Sequence, residues 1–452
     1  MLLEVAEGGG FADQVLGPED PPFVRELVSG VLRRRLTLDT IHDAFGKRPA
    51  AELDAPVREA LRLGLYELVF LDAVPPHAAV GETVGALPLK SHRAYVNGVL
   101  RRIIAECRKV TPDRDRGGAS PRKRFERAGR AVFFFSRPVF PDPEQDPVAD
   151  LAVRHSHPAF LVARWLETVG PETTAAWLEE GNRPPALVLR PRAGRVDAEE
   201  LVARLAKEDI PCALRERPGG APAVEVASGH RVLRSKAFRQ GLFSVQDPRQ
   251  MDAVELLAPR PGEVVWDMCA APGGKTLQLA EALEVAEAAA AWDGEPGRVV
   301  ATDRSGPRLR RLPEHAERRG LEHRVEHHVH DALGGGAPPG KPAEGFDAVL
   351  LDAPCSNTAV LDRRPEARWR LVPDTFAELA EVQRKLLDVA REHLRPGGRL
   401  VFSSCSREAE EGVGHGLRAT RSPFVWLDGP DGARDTAGDG AGGTGDDVGG
   451  DA

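Results

Sequence analysis

The sequence predicts a multidomain protein with an all-α N-terminal domain, a small α/β middle subdomain and a C-terminal α/β domain. Three observations predict this arrangement. The chain has 452 residues, enough for two or three domains. Apolar residues recur at helical spacing between about residues 23 and 107. From residue 241 onward strand-like and helix-like patterns alternate, which is typical of an open, mostly parallel, doubly wound sheet.

Composition narrows the class of protein. Hydrophobic residues make up 41% and charged residues 29%, as in globular proteins, and no apolar run reaches membrane-spanning length. The five cysteines include no C-x-x-C pair, so we expect reduced thiols in a cytoplasm and no metal site. The net charge is −8, but residues 428–452 carry seven Asp and one Arg. The remaining body, at about −2, contains arginine clusters that suit a polyanionic partner.

The N-terminal domain is assigned to residues 1–110. Its runs Leu61–Leu68, Val74–Val80 and Val96–Arg102 resemble the NusB-type RNA-binding helical domain. Three consecutive arginines, Arg33 to Arg35, could contact RNA phosphates; the alternative is that they are simply solvated.

The next two segments are a connector and a small subdomain. Residues 111–147 are rich in Pro and basic residues and predict a mobile linker, with an apolar patch at Val132–Phe135. Residues 148–240 predict a small α/β subdomain. Its runs SHPAFLVARWLE and NRPPALVLR are similar to the subdomain that precedes the catalytic domain in bacterial RNA cytosine-5 methyltransferases, and this resemblance implies that it binds RNA.

The C-terminal domain is assigned to residues 241–427. The pattern predicts strands and helices in alternation, and ligands of such sheets bind at the carboxyl ends of the strands. Residues 428–452 are expected to be a disordered Gly/Asp-rich tail. Because no strand pattern follows Trp426, the last one or two strands of the sheet are expected to be missing or degenerate.

The stretch from Val264 to Thr276 predicts a strand, a tight loop and a helix N-terminus. A phosphate-binding P-loop would need glycine where Cys269 stands, and the dinucleotide pattern G-x-G-x-x-G is also absent. S-adenosylmethionine is therefore the leading candidate ligand, against the alternative of an ordinary strand–helix turn. Acidic residues also follow strands, and their predicted roles are ribose binding for Asp303 and adenine binding for Asp331. Asp267 and Asp352 share this placement.

Two cysteines follow the fourth and fifth predicted strands, Cys355 and Cys405. Carbon 5 of a pyrimidine becomes nucleophilic when a thiolate adds to carbon 6, so a thiol beside a methyl donor predicts cytosine-5 or uracil-5 methylation. The thiol needs a positive neighbour, because a free thiol is mostly protonated at pH 7. The candidate neighbours are Lys275, Arg363, Arg364 and Arg368. Chemistry alone does not choose between the two cysteines.

Three motifs, MCAAPGGKT, LLDAPCSNTAVLDRRPEARWR and FSSCSREAEEG, resemble those of the Sun/Fmu-type (RsmB-like) 16S ribosomal RNA cytosine-5 methyltransferases, whose catalytic domain is Rossmann-like. The resemblance implies that Cys405 is the nucleophile and that Cys355 assists adduct breakdown and product release. It implies that Asp352 contacts both the cofactor and the cytosine ring. The residues that it assigns to S-adenosylmethionine are Cys269, Ala270, Ala271, Pro272, Gly273, Gly274, Lys275, Asp303, Asp331 and Asp352.

The predicted function is methyl transfer to carbon 5 of a cytidine in 16S ribosomal RNA, by a cytoplasmic monomer that uses neither a metal nor a membrane. Two alternatives stay open: the same reaction on transfer RNA or another ribosomal site, and a non-catalytic RNA-binding ribosome assembly factor. The motifs depart from the family at three positions. Ser404 replaces a Thr, Ala359 a Gly and Gly412 an Asn.

Overall fold

The computed structural model describes residues 1–8, 12–17, 20–127, 129–227, 231–415, 418–419 and 425–428. The chain divides into two compact units. Unit 1 comprises residues 1–186, 356–376 and 405–407, and unit 2 comprises residues 187–355, 377–404 and 408–452. The chain therefore passes from one unit to the other directly after Cys355 and directly before Cys405.

Unit 1 begins with helices whose apolar faces form one core. Leu38, Ile41, Leu65, Val96 and Leu100 have no solvent-exposed surface, as the helical spacing of apolar residues predicts. A proline in the first turn starts several of these helices, where its missing N–H costs nothing. The helices are α1 (Leu2–Gly8), α2 (Ala12–Val15), α3 (Pro22–Phe45), α4 (Ala55–Phe70), α5 (Pro76–Gly85) and α6 (Lys90–Glu106).

The stretch predicted to be a mobile linker, residues 111–147, instead contributes two strands to an antiparallel sheet in the strand order β1-β3-β2, whose first strand directly precedes it. Phe125, Phe133, Phe135 and Phe140 are buried in the same core as the helices. Burying four aromatic rings outweighs the loop-forming tendency of the Pro, Gly and Arg residues around them. The remaining elements of this part of unit 1 are β1 (Cys107–Val110), β2 (Arg124–Arg127), β3 (Ala131–Phe135), α7 (Pro147–His155) and α8 (Ala159–Glu180).

The three arginines of α3 contact protein groups inside unit 1. Arg33 is 5% exposed and donates from Nη2 to the Asp362 carbonyl oxygen at 3.1 Å. The guanidinium groups of Arg34 and Arg35 lie over the Phe70 and Trp369 rings, 4.9 and 5.5 Å from their centres. These contacts fix helix α3 within the unit, so the fully solvated interpretation is wrong. RNA contact by the half-buried Arg34 and Arg35 stays a prediction.

Unit 2 contains two sheets. The smaller has the order β5-β6-β4-β7, with antiparallel neighbours, and the larger has the order β10-β9-β8-β11-β12-β14-β13. The elements up to the larger sheet are β4 (Leu187–Pro191), α9 (Ala198–Ala206), β5 (Cys212–Arg215), β6 (Ala223–Val226), α10 (Lys236–Arg239), β7 (Phe243–Val245) and α11 (Pro248–Leu257). They are followed by β8 (Val264–Asp267), α12 (Gly274–Ala289), β9 (Arg298–Asp303), α13 (Gly306–Leu309), α14 (Leu312–Arg319), β10 (Val325–Val329), β11 (Phe346–Asp352), α15 (Thr375–Glu392), β12 (Leu394–Ser403), β13 (Arg418–Ala419) and β14 (Val425–Asp428).

The five strands from β8 to β12 are parallel, as the sequence predicts, and strand order reverses between β8 and β11. Such a reversal opens a crevice at the carboxyl ends of the strands. The expected loss of the last strands is wrong, because β14 pairs antiparallel with β12 and β13 pairs with β14. The four-residue strand β14 is too short to show a pattern beside a Gly/Asp-rich tail, and pairing with β12 supplies its stability. The predicted disorder of the tail concerns residues that, after 428, lie outside the described part of the chain.

A buried ion cluster ties the smaller sheet to α12. Glu281 is fully buried and accepts hydrogen bonds from Arg190 on β4 and from Arg319 at the end of α14. Although burial opposes ionisation, the two guanidinium groups hold the pKa of Glu281 below its usual value. Because α12 begins at the loop after β8, this cluster also anchors the helix that carries the predicted cofactor loop. Within the described ranges, no helix is long and apolar enough to span a membrane.

Candidate active site

The loop between β8 and α12 is held by backbone hydrogen bonds. The Ala270 N–H donates to the Thr302 carbonyl oxygen at 2.9 Å, and the Gly273 N–H donates to Ala270 at 2.7 Å. Gly273 has a φ of 106°, and a Cβ atom there would lie 2.5 Å from Leu312 Cδ1. Only glycine satisfies both conditions, so Gly273 fixes the turn that leads into α12.

Asp267 ends β8 and has no exposed surface. Its Oδ2 accepts a hydrogen bond from Thr276 Oγ1 at 2.6 Å, whereas its Oδ1 has no partner among the described residues. Burial raises the pKa of this carboxyl to about 7, and the nearby Asp352 carboxylate adds to the effect. A buried carboxylate oxygen without a donor is costly, so this position fits a ligand that brings a donor or a positive charge.

Asp303 ends β9 and joins two loops. Its Oδ2 accepts from the Ala271 N–H at 3.1 Å, and its Oδ1 accepts from the Ser305 N–H at 2.8 Å. The Ala271 carbonyl oxygen in turn accepts from Arg308 Nη2 at 2.8 Å. Asp303 therefore organises the loop after β8 as well as its own loop.

Asp331 follows β10 and is exposed, with its Oδ1 accepting from the Leu333 N–H at 3.0 Å. Two apolar side chains near it along the chain are also unusually exposed, Val329 at 65% and Leu333 at 41%. An acidic residue flanked by exposed apolar side chains at a strand end offers both a hydrogen-bond acceptor and a surface for a flat ring.

Asp352 links three elements of unit 2. Its Oδ2 accepts from Lys275 Nζ at 2.7 Å, and its Oδ1 accepts from Ser403 Oγ at 2.6 Å. Lys275 lies in the first turn of α12, Asp352 ends β11 and Ser403 ends β12. The ion pair therefore joins the predicted cofactor loop to the strand ends that precede the two predicted catalytic cysteines.

The cysteines differ in their surroundings. Burial raises the pKa of the Cys269 thiol, and the carboxylates of Asp303, Asp352 and Asp267 raise it further. Cys269 is therefore a protonated part of the loop and not a nucleophile. Cys355, three residues after β11, is partly exposed, and the carbonyl oxygen of the preceding Pro354 accepts from Gln383 Nε2 at 2.9 Å.

Cys405 is partly exposed and belongs to unit 1, where residues 356–360 hold it. Its carbonyl oxygen accepts from the Ala359 N–H at 3.0 Å, and its sulfur lies 3.9 Å from Asn357 Oδ1. The neighbouring Ser406 hydroxyl lies 2.9 Å from the Ser356 hydroxyl. The Arg407 N–H donates to Thr358 Oγ1 at 2.9 Å, so each residue of the 405–407 segment is fastened to the segment after Cys355.

The four cations predicted to activate a cysteine thiol have different hydrogen-bond partners. Lys275 is paired with Asp352, and Arg363 Nη2 donates to the Ala186 carbonyl oxygen at 3.5 Å. Arg364 Nη1 donates at 3.5 Å to Asn357 Oδ1, the same oxygen that faces the Cys405 sulfur.

Arg368 is fully buried in unit 1 and is hydrogen-bonded to neutral oxygens. Burial lowers its pKa well below the usual value. Its oxygen partners are the carbonyl oxygens of Ser156, Gly181 and Leu361 and the side-chain oxygen of Asn182, and its Nη1 also lies 3.3 Å from His157 Nδ1. Arg368 therefore anchors its segment and does not serve as a mobile activating cation.

The predicted site residues thus lie at the ends of β8, β9, β10, β11 and β12. Strands β11 and β12 are parallel neighbours, with Asp352 opposite Ser403, so Cys355 and Cys405 follow adjacent strand ends. No group of three or more His, Cys, Asp or Glu side chains in the described ranges could hold a metal ion. The catalytic and binding roles of these residues remain predictions.

Sequence reasoning missed four side chains at these strand ends. Thr276 ends the predicted strand–loop–helix stretch, and Ser403 and Asn357 lie within the quoted motifs, but none of the three received a predicted role. Arg308 lies outside the motifs. The signal for Thr276 was available, since a hydroxyl in the first turn of a helix that follows a strand-end acid is well placed to bond that acid.

Family comparisons match three parts of the chain. Residues 254–418 match a family described as 16S rRNA methyltransferase RsmB/F, and residues 2–105 match the NusB family. Residues 157–228 match a ferredoxin-like domain described as RsmF/B-like. The three matches fall on the larger sheet, the N-terminal helices and the region of the smaller sheet.

Individual relatives extend over most of the chain. A protein of Synechocystis named probable ribosomal RNA small subunit methyltransferase B is 32% identical over 88% of this chain and 80% of its own length. Ribosomal RNA small subunit methyltransferase B of Sodalis glossinidius is 31% identical over 88% and 81%. Among solved structures, the protein PH0851 matches with a TM-score of 0.66 at 23% identity, over 87% of this chain and 79% of its own. A methyltransferase homolog from Pyrococcus horikoshii matches with a TM-score of 0.50 at 25% identity, over 62% and 90%.

Proposed function

The chain belongs to the RsmB/F family of 16S rRNA methyltransferases, and from that premise we propose that it methylates carbon 5 of a cytidine in 16S ribosomal RNA. The observation that carries the proposal is the pair of cysteines, Cys355 and Cys405, after adjacent parallel strands of one sheet. The loop after β8, with its unpartnered Asp267 oxygen, lies at the carboxyl end of the next strand of the same sheet. Methylation of an amino nitrogen would need no thiol.

The residues fit S-adenosylmethionine, which supplies, when bound, an electrophilic methyl group on a sulfonium. Asp267 Oδ1 and the carboxylate of Asp352 offer negative charge to a cationic amino acid moiety. Asp303 would accept from ribose hydroxyls. Asp331 would accept from the adenine amino group, and the exposed Val329 and Leu333 would contact the ring. The backbone of Cys269 to Gly274 would line the methionine part, and Lys275 would hold the Asp352 carboxylate in place.

In the proposed reaction, the Cys405 thiolate forms a bond to carbon 6 of cytosine, and the ring's electron pair moves to carbon 5. Asp352 is assigned to the ring as well: its carboxylate takes a proton from solvent and passes it to N3, which neutralises the developing charge. Carbon 5 then takes up the methyl group, and the electron pair of the broken sulfur–methyl bond stays on the donor sulfur, which leaves as a thioether. A base removes the proton of carbon 5, and N3 returns its added proton to solvent. The electrons of that C–H bond restore the double bond, and the Cys405 sulfur leaves carbon 6. Cys355 is assigned to this last stage, adduct breakdown and product release.

The proposed RNA partner is supported by a basic segment in unit 2. Arg304, Arg308, Arg310 and Arg311 are exposed within eight residues, directly after the predicted ribose-binding residue Asp303. The acidic side chains on the following helix are Glu314 and Glu317, so the segment keeps a positive excess. Exposed arginines at the edge of a nucleotide-binding sheet can contact phosphodiester groups of a substrate strand. The proposal includes a cytoplasmic enzyme that acts as a monomer.

The test uses the full-length protein, labelled S-adenosylmethionine and small-subunit RNA from cells that lack this protein. We expect one cytidine to become labelled and resistant to bisulfite. Incorporation into transfer RNA alone, or into another ribosomal site, would replace the proposed substrate. RNA binding with no incorporation into any of these RNAs would favour the non-catalytic assembly factor.

Cysteine variants test the covalent mechanism in the same assay. We expect Cys355→Ala to accumulate a protein–RNA adduct that survives denaturing electrophoresis, because bond formation by Cys405 continues while release is blocked. Cys405→Ala should form no adduct. The reverse pattern would exchange the roles of the two cysteines.

The arginine segment is tested by replacing Arg304, Arg308, Arg310 and Arg311 with Ala. We expect RNA affinity to fall about tenfold or more at low salt and its salt dependence to weaken by about one unit of slope per lost phosphate contact. The control replaces Arg204 and Arg215, which are exposed in the same unit but paired with Glu200 and Glu225. An equal effect in both variants would remove the assignment of this segment to RNA.

A further inference from the structure

The backbone of Asn357 lies in the left-handed region, with a φ of 62°. Glycine adopts this conformation most readily, and among other residues asparagine tolerates it well. Asparagine also brings an amide that glycine lacks. The position therefore combines a backbone requirement with a polar side chain, and the side chain points at two functional groups.

Those two groups are the Cys405 thiol and the Arg364 guanidinium. Asn357 Oδ1 lies 3.9 Å from Cys405 Sγ and 3.5 Å from Arg364 Nη1. A guanidinium can only donate, so the amide atom that faces Arg364 is the oxygen. An S–H group is a weak donor, and an oxygen at this distance can accept from it and select one orientation of the thiol.

The surroundings of this oxygen are fixed by other contacts in unit 1. Ala359 N donates to the Cys405 carbonyl oxygen at 3.0 Å, which sets the spacing between the two loop segments. Arg368 anchors the same segment, because its Nη2 donates to the Leu361 carbonyl oxygen. The thiol, the amide and the guanidinium are therefore presented by a segment that is held at both ends.

From this arrangement we propose that Asn357 and Arg364 are positioning residues for the nucleophile: the Asn357 amide orients the Cys405 thiol, and Arg364, held on the same oxygen, favours its thiolate form. The proton of the S–H group leaves to solvent, and no other bond changes. The inference rests on the proposed role of Cys405, and it assigns positioning roles to two residues, Asn357 and Arg364, that received no role in the sequence analysis.

Other charged groups near Cys405 have partners of their own. Arg407, two residues on, is paired with Glu180 and lies over the Trp177 ring. Glu408 is buried after it, and Asp352, opposite Ser403, is bonded to Lys275 and Ser403. Arg364 differs from these groups because its contact leads to the amide beside the sulfur.

The experiment measures the rate at which iodoacetamide alkylates Cys405, by peptide mass spectrometry, from pH 6 to pH 10. Alkylation forms a carbon–sulfur bond from the thiolate and releases iodide, so the rate follows the thiolate fraction and needs no methyl transfer. We expect Arg364→Gln to slow alkylation about threefold at pH 7.5 and to move the midpoint upward. Asn357→Asp keeps the backbone conformation but places a carboxylate beside the sulfur, and we expect a larger loss, about tenfold.

Two further variants separate positioning from general structural damage. Arg363→Gln changes the adjacent arginine, which donates to the Ala186 carbonyl oxygen, and should leave the profile of Cys405 unchanged. Asn357→Gly keeps the left-handed backbone and removes the amide, so in that background Arg364→Gln should have little further effect. Cys269 serves as an internal reporter of unfolding, because it becomes reactive only if the loop after β8 opens.

Superimposable Cys405 profiles in wild type, Arg364→Gln and Asn357→Asp would overturn the inference. If Asn357→Gly and Arg364→Gln change the alkylation rate of Cys405 independently and additively, Arg364 does not act on the thiol through the Asn357 oxygen. If the profiles shift as expected but no RNA is methylated, the positioning role stands and the proposed function fails, so the two failures are distinguishable.

Discussion

The two regions that carry the predicted chemistry differ in the charged side chains at their centres. At the loop after β8, these are the carboxylates of Asp267, Asp303 and Asp352, with Lys275 as the cation bonded to Asp352. In the segment that holds Cys405, Arg368 is the charged side chain with no exposed surface, and its guanidinium is bonded to carbonyl and amide oxygens. One region is suited to a cationic ligand, and the other to an anionic nucleophile.

The same difference explains why cysteines of similar exposure are not equivalent. Cys269 and Cys405 are both partly exposed residues, but burial of the Cys269 thiol and, secondarily, the carboxylates around it raise its pKa. Cys405 instead lies beside an amide whose oxygen is bonded to Arg364. The local electric field, rather than the cysteine itself, therefore decides which thiol can serve as a nucleophile.

The largest expected effect comes from exchanging sulfur for oxygen in each region. We expect Cys405→Ser to lower methyl transfer by at least about 10³-fold, because a serine hydroxyl is not ionised at neutral pH. Cys269→Ser should change the rate by less than about threefold, since that thiol stays protonated in wild type. The measurement is single-turnover incorporation of labelled methyl groups. Comparable losses of methyl-transfer rate in Cys405→Ser and Cys269→Ser would show that the two thiols do not differ in function.

The sequence predicted the parallel strands well because each carries a run of buried apolar residues that ends at an acid or a turn. Asp267, Asp303 and Asp352 end their strands as predicted. The connection after β9 contains two helices, α13 and α14, because Pro313 lies in the first turn of the second. Pro396 and Gly397 are residue types that usually end a strand, but they lie inside β12 at a point where its register against β11 shifts.

What the sequence could not give is the set of contacts between distant parts of the chain. The partners of Arg368 come from residues 156, 181–182 and 361, and no local pattern links these positions. The sequence did not predict the sheet formed by β1, β2 and β3, for a similar reason. The stability of this sheet depends on four phenylalanines that pack into the core of the helices. The positions of acidic residues after strands predict where ligands would bind. The contacts that hold the loops depend instead on which side chains become buried in the folded protein.

The next effect in size concerns the buried guanidinium. Replacing Arg368 with Met removes the donors for its four neutral oxygen partners, and we expect a loss of about 3 kcal/mol in the local stability of unit 1. Amide hydrogen exchange should rise by about 100-fold in residues 356–376 and stay unchanged in residues 264–283. Arg370→Met, at an exposed position two residues away, is the matched control. Equal exchange in Arg368→Met and wild type would show that Arg368 does not hold the Cys405 segment.

The smallest expected effect is a change in the free energy of unfolding when Asp267, at the end of β8, is replaced. The folded-state pKa of this residue is raised to about 7 from the usual 3.8, so the folded protein resists ionisation. The resulting destabilisation is absent below about pH 4, grows between pH 4 and 7, and is complete above pH 7. Asp267→Asn removes it, and we expect the free energy of unfolding to rise by about 2 kcal/mol at pH 8 and by progressively less toward pH 5.

The same variant should bind S-adenosylmethionine about tenfold more weakly at pH 8, because the ligand loses a charged acceptor. Wild-type affinity should itself increase between pH 6 and 8, as Asp267 ionises, and this increase should disappear in Asp267→Asn. Calorimetric titrations at the two pH values measure both quantities. Stabilisation without weaker binding would mean that the unpartnered Asp267 oxygen faces the protein interior and not the cofactor. Of the three carboxylates in this region, only Asp303 and Asp352 would then bind the ligand.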